Sequence, residues 1–217
     1  MRKLFFVFTL LLAVMSLAQD SPKAMRKIVV QLDGPDIPQD AFVRKPKTMY
    51  RAGSRFCRIE EALDTARNLQ QLVVVNEPDF WIVNLADKKG NHVVDSGPTF
   101  NCHLPIFSGP PQGSSDTTNY AELGLEFGFE LEFFKKMGAT PHPGPVLQTK
   151  ETTAYVLNFG DTRLALFTYG PDQNPLLLGR TYKDHGELFW YSGYGTLAFD
   201  PKLFAKPEGI SFTEAKN

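Results

Sequence analysis

The chain contains a regular series of short apolar or alternating segments, each ended by turn residues, and this series restricts the folds that it can adopt. Residues 55–61 alternate between the two faces of a strand, and residues 152–159 and 163–169 are joined by a Gly-Asp turn. Strands that follow one another this closely are typical of hairpins in an antiparallel sheet. The 18 Phe among 217 residues also exclude a disordered protein.

Further segments extend the predicted sheet and set its limits in the sequence. The other predicted strands are residues 27–32, 72–75, 80–85, 92–94, 176–182 and 188–199. Residues 19–48 are predicted to form an N-terminal arm that contains the first of these strands, and residues 211–217 a C-terminal tail. The predicted domain is therefore residues 49–210, of the α+β class.

One helix is predicted over residues 119–137. Asn119 and Glu122 have the spacing of a capping box, and Gly138 is suited to the position that follows a helix. The apolar residues of this helix form two stripes on nearly opposite sides. The first stripe is Tyr120, Leu123, Phe127, Leu131 and Phe134, and the second is Leu125, Phe129 and Phe133. Two stripes indicate either a helix buried between sheet and loops, which is the more ordinary role, or an apolar groove for a ligand.

The N-terminus has the three parts of a secretory signal peptide. Arg2 and Lys3 precede an uncharged apolar run over residues 4–14, and Ser16 and Ala18 are the small residues of a cleavage site. The run is shorter than the about 20 residues of a membrane span, so residues 1–18 are predicted to be removed. No later run approaches that length. The mature chain is predicted to be exported to the periplasm or the medium, without a transmembrane segment.

The two cysteines, Cys57 and Cys102, allow two interpretations. Export makes a disulfide between them permissible. Two separate buried thiols are equally compatible with the sequence, because free Cys packs as a small apolar residue. Neither residue belongs to a Cys-x-x-Cys pair, so a role in thiol exchange is not expected.

The chain lacks the common motifs of catalysis and cofactor binding, including the nucleophile elbow, the P-loop and the His-Glu-x-x-His sequence. His92 and His103 flank Asp95 and Cys102, but their spacing matches no recognised zinc motif. We therefore predict a protein that is not an enzyme and has no catalytic residue, metal or cofactor. A net charge of −1 and a pI near 6.4 indicate no basic surface for nucleic acid.

The order of elements resembles that of the LolA/LolB-like superfamily of periplasmic lipoprotein carriers and lipid-binding proteins. The residues that carry the resemblance are Tyr50-Arg51-Ala52-Gly53 leading into 55–60, the strands 72–75 and 79–85, and the closing segments 191–194, 199–204 and 206–210. The resemblance implies a strongly curved antiparallel sheet, or half-barrel, that wraps one or more helices. It also implies an apolar cavity, for which the helix over 119–137 would be a lid.

Two functions from different classes are predicted. The first is an exported carrier or sensor that binds a lipid or acyl chain, or a lipoprotein, in the cavity of the curved sheet. The residues predicted to contact this ligand are Leu123, Phe127, Phe129, Phe133, Trp81 and Trp190. The alternative is an envelope protein-interaction module with a self-filled core and no small ligand. A hydrolase whose catalytic His and Asp residues lie far apart in the sequence is a third hypothesis, and no sequence motif supports it.

Overall fold

A large, open and curved sheet of twelve strands dominates the computed structural model, which describes residues 22–95, 97 and 101–214. In chain order the strands are β1 Ala24–Asp33, β2 Lys47–Ala52, β3 Phe56–Glu60, β4 Gln71–Asn76, β5 Asp79–Asn84, β6 Lys89–Val94, β7 His142–Pro143, β8 Thr152–Phe159, β9 Thr162–Tyr169, β10 Asn174–Tyr182, β11 His185–Ala198 and β12 Ser211–Glu214. Their order across the sheet is β12-β6-β5-β4-β3-β2-β1-β11-β10-β9-β8-β7. Neighbours are antiparallel except β12, which runs parallel to β6. The predicted signal peptide lies outside the described residues.

The two ends of the described chain contribute more to the sheet than the sequence predicts. The first strand, β1, is not at the edge of the sheet but pairs with both β2 and β11. Residues 211–214, predicted to be part of a tail, form β12 instead. Both differences have one cause, because a strand's partner can lie far away in the chain and leaves no local signal in the sequence.

One face of the sheet is covered by the chain between β6 and β7, and we call residues 101–139 the inner segment. Within it the predicted single helix over 119–137 is wrong, since the structure has two short helices, α1 Tyr120–Leu123 and α2 Glu130–Lys136. Gly124, with a φ of 85°, is the left-handed residue that ends α1, and Gly128, with a φ of 92°, lies in the turn before α2.

Between α1 and α2, residues 127 and 128 form a turn, and residues 125–127 include an isolated antiparallel bridge at Glu126. Their backbone pairs with a second piece of the inner segment. The Ile106 N–H donates to the Leu125 carbonyl at 3.1 Å, and the Phe127 N–H donates to the Leu104 carbonyl at 2.9 Å. This paired ribbon replaces the central turns of the predicted helix.

Most residues of the two apolar stripes are buried in the structure. Those below a tenth exposed include Tyr120, Leu125, Phe127, Phe133 and Phe134. They pack against inward-facing side chains of the sheet and form the main core. Enclosure between the sheet and the rest of the inner segment explains why apolar residues are needed on both sides.

The outer face of the sheet is covered in part by the segment that follows β11. Phe204 is fully buried against Met25 and Ala52, and Ile210 and Phe212 pack over a second cluster on β4 and β5. None of the helices in residues 22–95, 97 and 101–214 is long and apolar enough to cross a membrane.

Candidate functional site

An apolar pocket of about 230 Å³ opens where the inner segment leaves the inner face of the sheet uncovered. We call it the Phe127 pocket. Its lining residues come from β1, β2, β11, the inner segment and the short 3-10 turn after β1, and they are Val30, Leu32, Val43, Lys47, Met49, Phe127 and Phe189. Separate parts of the sheet and the inner segment thus meet at one site.

The walls of the Phe127 pocket follow from strand pairing. Val30 of β1 lies directly opposite Lys47 of β2, and Met49 is two residues further along the same strand. Because side chains alternate between the faces of a strand, these three point to the same side. Phe127 closes the pocket from the inner segment, and its ring meets that of Phe189 edge to face with the centroids 5.4 Å apart.

The size of the pocket limits what it can bind. Ordinary pockets for small ligands are about 300–1,000 Å³, whereas an engineered apolar cavity of about 150 Å³ is enough to hold benzene. At about 230 Å³ the Phe127 pocket matches a narrow apolar group, such as the end of one acyl chain. A whole lipid with several chains is too large for it.

The inner segment is held against β2 by a buried charged cluster around Glu126. Arg51 is 6% exposed and donates to the Glu126 carboxylate, to the Phe127 carbonyl at 3.1 Å and to the Cys102 carbonyl at 2.9 Å. His103 Nδ1 lies 2.7 Å from the other Glu126 oxygen. Burial opposes the charged form of Glu126, but the hydrogen bonds with His103 and Arg51 hold its pKa below the ordinary value.

The Arg51–Glu126 cluster acts on the backbone of the inner segment, since Arg51 binds two of its carbonyl groups. No group of three or more His, Cys, Asp or Glu in the described part of the chain is arranged to hold a metal ion. None of the Arg51–Glu126 cluster's charged side chains lines the Phe127 pocket. Its effect is to fix Phe127, whose carbonyl it binds, as a wall of that pocket.

A second buried acid, Glu130 at the start of α2, lies against β11. It is completely buried and accepts hydrogen bonds from the Gly128 N–H at 2.9 Å and the hydroxyls of Tyr191 and Tyr194 at 3.0 and 3.1 Å. Burial raises the pKa of Glu130, and these hydrogen bonds only partly offset that effect. Both tyrosines face inward because a bulge shifts the register of β11 against β1.

A disulfide joins Cys57 of β3 to Cys102 at the start of the inner segment. Of the two interpretations that the sequence allowed, the structure has the bridge. The Cys102 N–H also donates to the Ser54 carbonyl. The disulfide and the Arg51–Glu126 cluster therefore fasten the same stretch of the inner segment to β2 and β3.

The structure brings only one of the predicted ligand-contacting residues, Phe127, to the pocket. Leu123 and Phe133 pack in the main core beside it. Phe129 is 37% exposed, and the Arg51 guanidinium carbon lies 4.2 Å from the centre of its ring.

Trp81 and Trp190 belong to the outer face of the sheet, away from the pocket. Trp81 packs with Leu72, Val74 and Val83 under the C-terminal segment. Trp190 lies between Phe189 and Tyr191, which both face the inner core, so alternation directs Trp190 outward. An aromatic residue in a strand is predicted to be buried, but only the register of the strand in the sheet decides on which face the residue lies.

Six lining residues were missed by the sequence analysis, namely Val30, Leu32, Val43, Lys47, Met49 and Phe189. The alternation of apolar residues along β1 and β2 indicates which of these lining residues share a face of the sheet. No local signal shows that the inner segment leaves this part of the face uncovered.

No family model matches the chain, and no curated protein does. Among solved structures it is similar to an uncharacterized conserved protein from Thermus thermophilus, with 10% identity, a TM-score of 0.47 and coverage of 89% of this chain and 91% of that one. It is also similar to the LolA superfamily protein NE2245 from Nitrosomonas europaea, with 11% identity, a TM-score of 0.34 and coverage of 85% and 90%. A third similar structure is that of PNGF-II, with 10% identity, a TM-score of 0.35 and coverage of 88% of this chain and 31% of that one. Similarities of this extent carry no argument about function.

Proposed function

We propose that this protein is an exported, non-enzymatic carrier or sensor that binds the end of an acyl chain in the Phe127 pocket. The observation that carries the proposal is the apolar pocket of about 230 Å³ left open between β1, β2, β11 and Phe127. Export is inferred from the predicted signal peptide over residues 1–18. The LolA/LolB-like resemblance of the sequence agrees with an apolar ligand.

The physical basis of binding is the transfer of methylene groups from water to an apolar surface, which contributes about 0.8 kcal/mol for each group buried. A site formed in advance loses less of this energy to ordering than a flexible one. The Phe127 pocket is of the first kind, because the disulfide and the Arg51–Glu126 cluster fix the inner segment that closes it.

The proposal is tested by native mass spectrometry of the protein purified from its own cell envelope. We expect an added mass of an acyl compound that is lost on denaturation. The matched variants are Leu32→Trp, which fills the pocket, and Leu197→Trp on β11, where the leucine is 44% exposed. Leu32→Trp should lose the added mass and Leu197→Trp should keep it. Equal retention by both variants would place the ligand elsewhere.

The alternative, a protein-interaction module with a self-filled core, is favoured by one observation. The inner segment buries Tyr120, Leu125, Phe133 and Phe134 on the inner face, so little of that face remains for a ligand. This function predicts a mass without ligand, together with a dimer or a complex in size-exclusion chromatography. A bound acyl compound displaced by Leu32→Trp would contradict it.

A further inference from the structure

The Phe127 pocket has one charged residue in its lining as far as the described chain shows, and this residue indicates the class of ligand. We propose that the pocket selects a single-chain amphiphile with a carboxylate head, whose chain enters the pocket and whose head binds Lys47. The inference rests on the proposed function, because a head group is selected only if a chain is bound.

Lys47 lies at the boundary between the pocket and solvent. Its side chain is 36% exposed, whereas its neighbours on the same face, Val30 and Met49, are 2% and 4% exposed. A long lysine side chain can line an apolar wall with its methylenes and keep its ammonium in water. The polar end of a bound chain would occupy this same boundary, within reach of the ammonium.

The ammonium of Lys47 is already oriented by one partner. Its Nζ lies 2.7 Å from Glu61 Oε1, and the Glu61 side chain is 14% exposed. An ammonium has three N–H donors, and Glu61 takes one of them. A ligand carboxylate would accept another, while an uncharged head would gain only a weaker hydrogen bond and a cationic head would be repelled.

The inference is tested by isothermal titration calorimetry with three ligands of equal chain length, sodium decanoate, decanol and decyltrimethylammonium. We expect decanoate to bind about tenfold more tightly than decanol, the ratio that a hydrogen bond to a charged group supplies. Decyltrimethylammonium should bind most weakly.

Variants assign the preference to Lys47. Lys47→Met should reduce the decanoate-to-decanol ratio of affinities to within about twofold, and Lys47→Met combined with Glu61→Gln should do the same without leaving an unpaired acid. Glu61→Gln alone should raise the decanoate affinity. Lys45→Met is the matched control, because Lys45 is exposed and donates to the Leu63 carbonyl at 3.2 Å outside the pocket.

The outcomes separate the two proposals. If none of the three compounds binds, the proposed function fails and this inference fails with it. If decanol binds as tightly as decanoate, or if Lys47→Met leaves their ratio unchanged while its circular dichroism matches the parent, the chain site stands and the carboxylate selection is overturned. If Lys45→Met lowers the ratio as much as Lys47→Met, the preference comes from general surface charge and the role of Lys47 is overturned.

Discussion

Arg51 on β2 and Glu126 in the inner segment are 75 residues apart in sequence and form an ion pair in the interior, with side chains 5% and 7% exposed. The same guanidinium binds the carbonyl groups of Cys102 and Phe127 on the two pieces of the paired ribbon. One arginine thus joins both halves of the ribbon to the sheet. The inner segment, and with it the wall of the Phe127 pocket, depends on this contact.

Removing one member of the pair should be costly. Arg51→Met leaves the buried Glu126 carboxylate with His103 as its remaining side-chain partner, and breaking a buried pair typically lowers the free energy of unfolding by about 3–5 kcal/mol. Urea denaturation measures the change. Arg163→Met, at an exposed position of β9, is the control and should have little effect on the free energy of unfolding.

The double variant Arg51→Met with Glu126→Leu should recover part of the stability that Arg51→Met loses, because it leaves no unpaired acid in the interior. A loss in the double variant equal to the sum of the losses in the two single variants would contradict this account.

Glu130 should make stability fall as pH rises. Its pKa in the folded state is raised by burial above the ordinary value of 4.5, so the folded state holds a proton that the unfolded chain releases earlier. The contribution is fully present below about pH 4.5 and is lost as the pH rises through the folded-state pKa. Glu130→Gln should flatten this part of the profile of unfolding free energy against pH, while Glu151→Gln, at an exposed position, should leave it unchanged. If the unfolding free energy of Glu130→Gln changed with pH in parallel with that of the parent protein, Glu130 would be charged in the folded protein.

His92 should hold β12 to the sheet in a pH-dependent way. Its ring nitrogens lie 2.8 Å from Asp79 and 2.7 Å from Glu214 of β12, and the hydrogen bonds with these carboxylates raise the pKa of His92 above 6.5. The raised value means that this stabilisation is present below about pH 6.5 and is lost as the pH rises through the folded-state pKa.

Amide hydrogen exchange of residues 211–214 measures the effect, after correction for the intrinsic pH dependence of exchange. We expect protection to decrease above the pKa of His92, and His92→Gln to remove the pH dependence. The same substitution at His142, on the far edge strand β7, is the control. Protection that stays constant across this range in the parent protein would show that β12 is held by its backbone pairing and by Phe212 alone.

The Cys57–Cys102 disulfide should stabilise the fold by constraining the unfolded chain. The two residues are 45 apart, and loops of this order are associated with about 4 kcal/mol in the chain-entropy model. The variant Cys57→Ala with Cys102→Ala should therefore lose about 2–5 kcal/mol in urea denaturation. Reductant should lower the stability of the parent towards that of the variant and leave the variant unchanged. Equal stability of parent and variant would be the contrary result.

Local patterns predicted the strands well because alternation and turn residues are properties of neighbouring positions. Residues 152–159 were predicted as a strand and form β8 with the same limits. Residues 72–75 and 80–85 were predicted as strands and form β4 and β5, which pair with each other and are joined by a two-residue turn, because each strand is longer than predicted at the turn end. In each case the hydrogen-bonding partner is the next strand along the chain.

The inner segment shows where local patterns fail. Its residues have the spacing and the cap of a helix, and α1 does begin after Asn119, whose side chain accepts from the Glu122 N–H. Gly124 permits the chain to leave the helix and Gly128 permits the turn before α2, but nothing nearby in sequence shows that the chain does so. The alternative is stabilised by backbone pairing with residues 104–106 and by Arg51, about 20 and 75 residues away.

Residues close together in the chain were enough to predict the sheet class and most strand limits, and they showed apolar residues on both sides of the inner segment, which left burial and a ligand groove as alternatives. The pairing of β1 with β11, the splitting of the helix and the position of the Phe127 pocket could be seen only in the folded chain. Ile28 and Tyr194, for example, lie opposite each other in the sheet. Such contacts depend on the whole arrangement of strands, and a pocket is the space that this arrangement leaves unfilled.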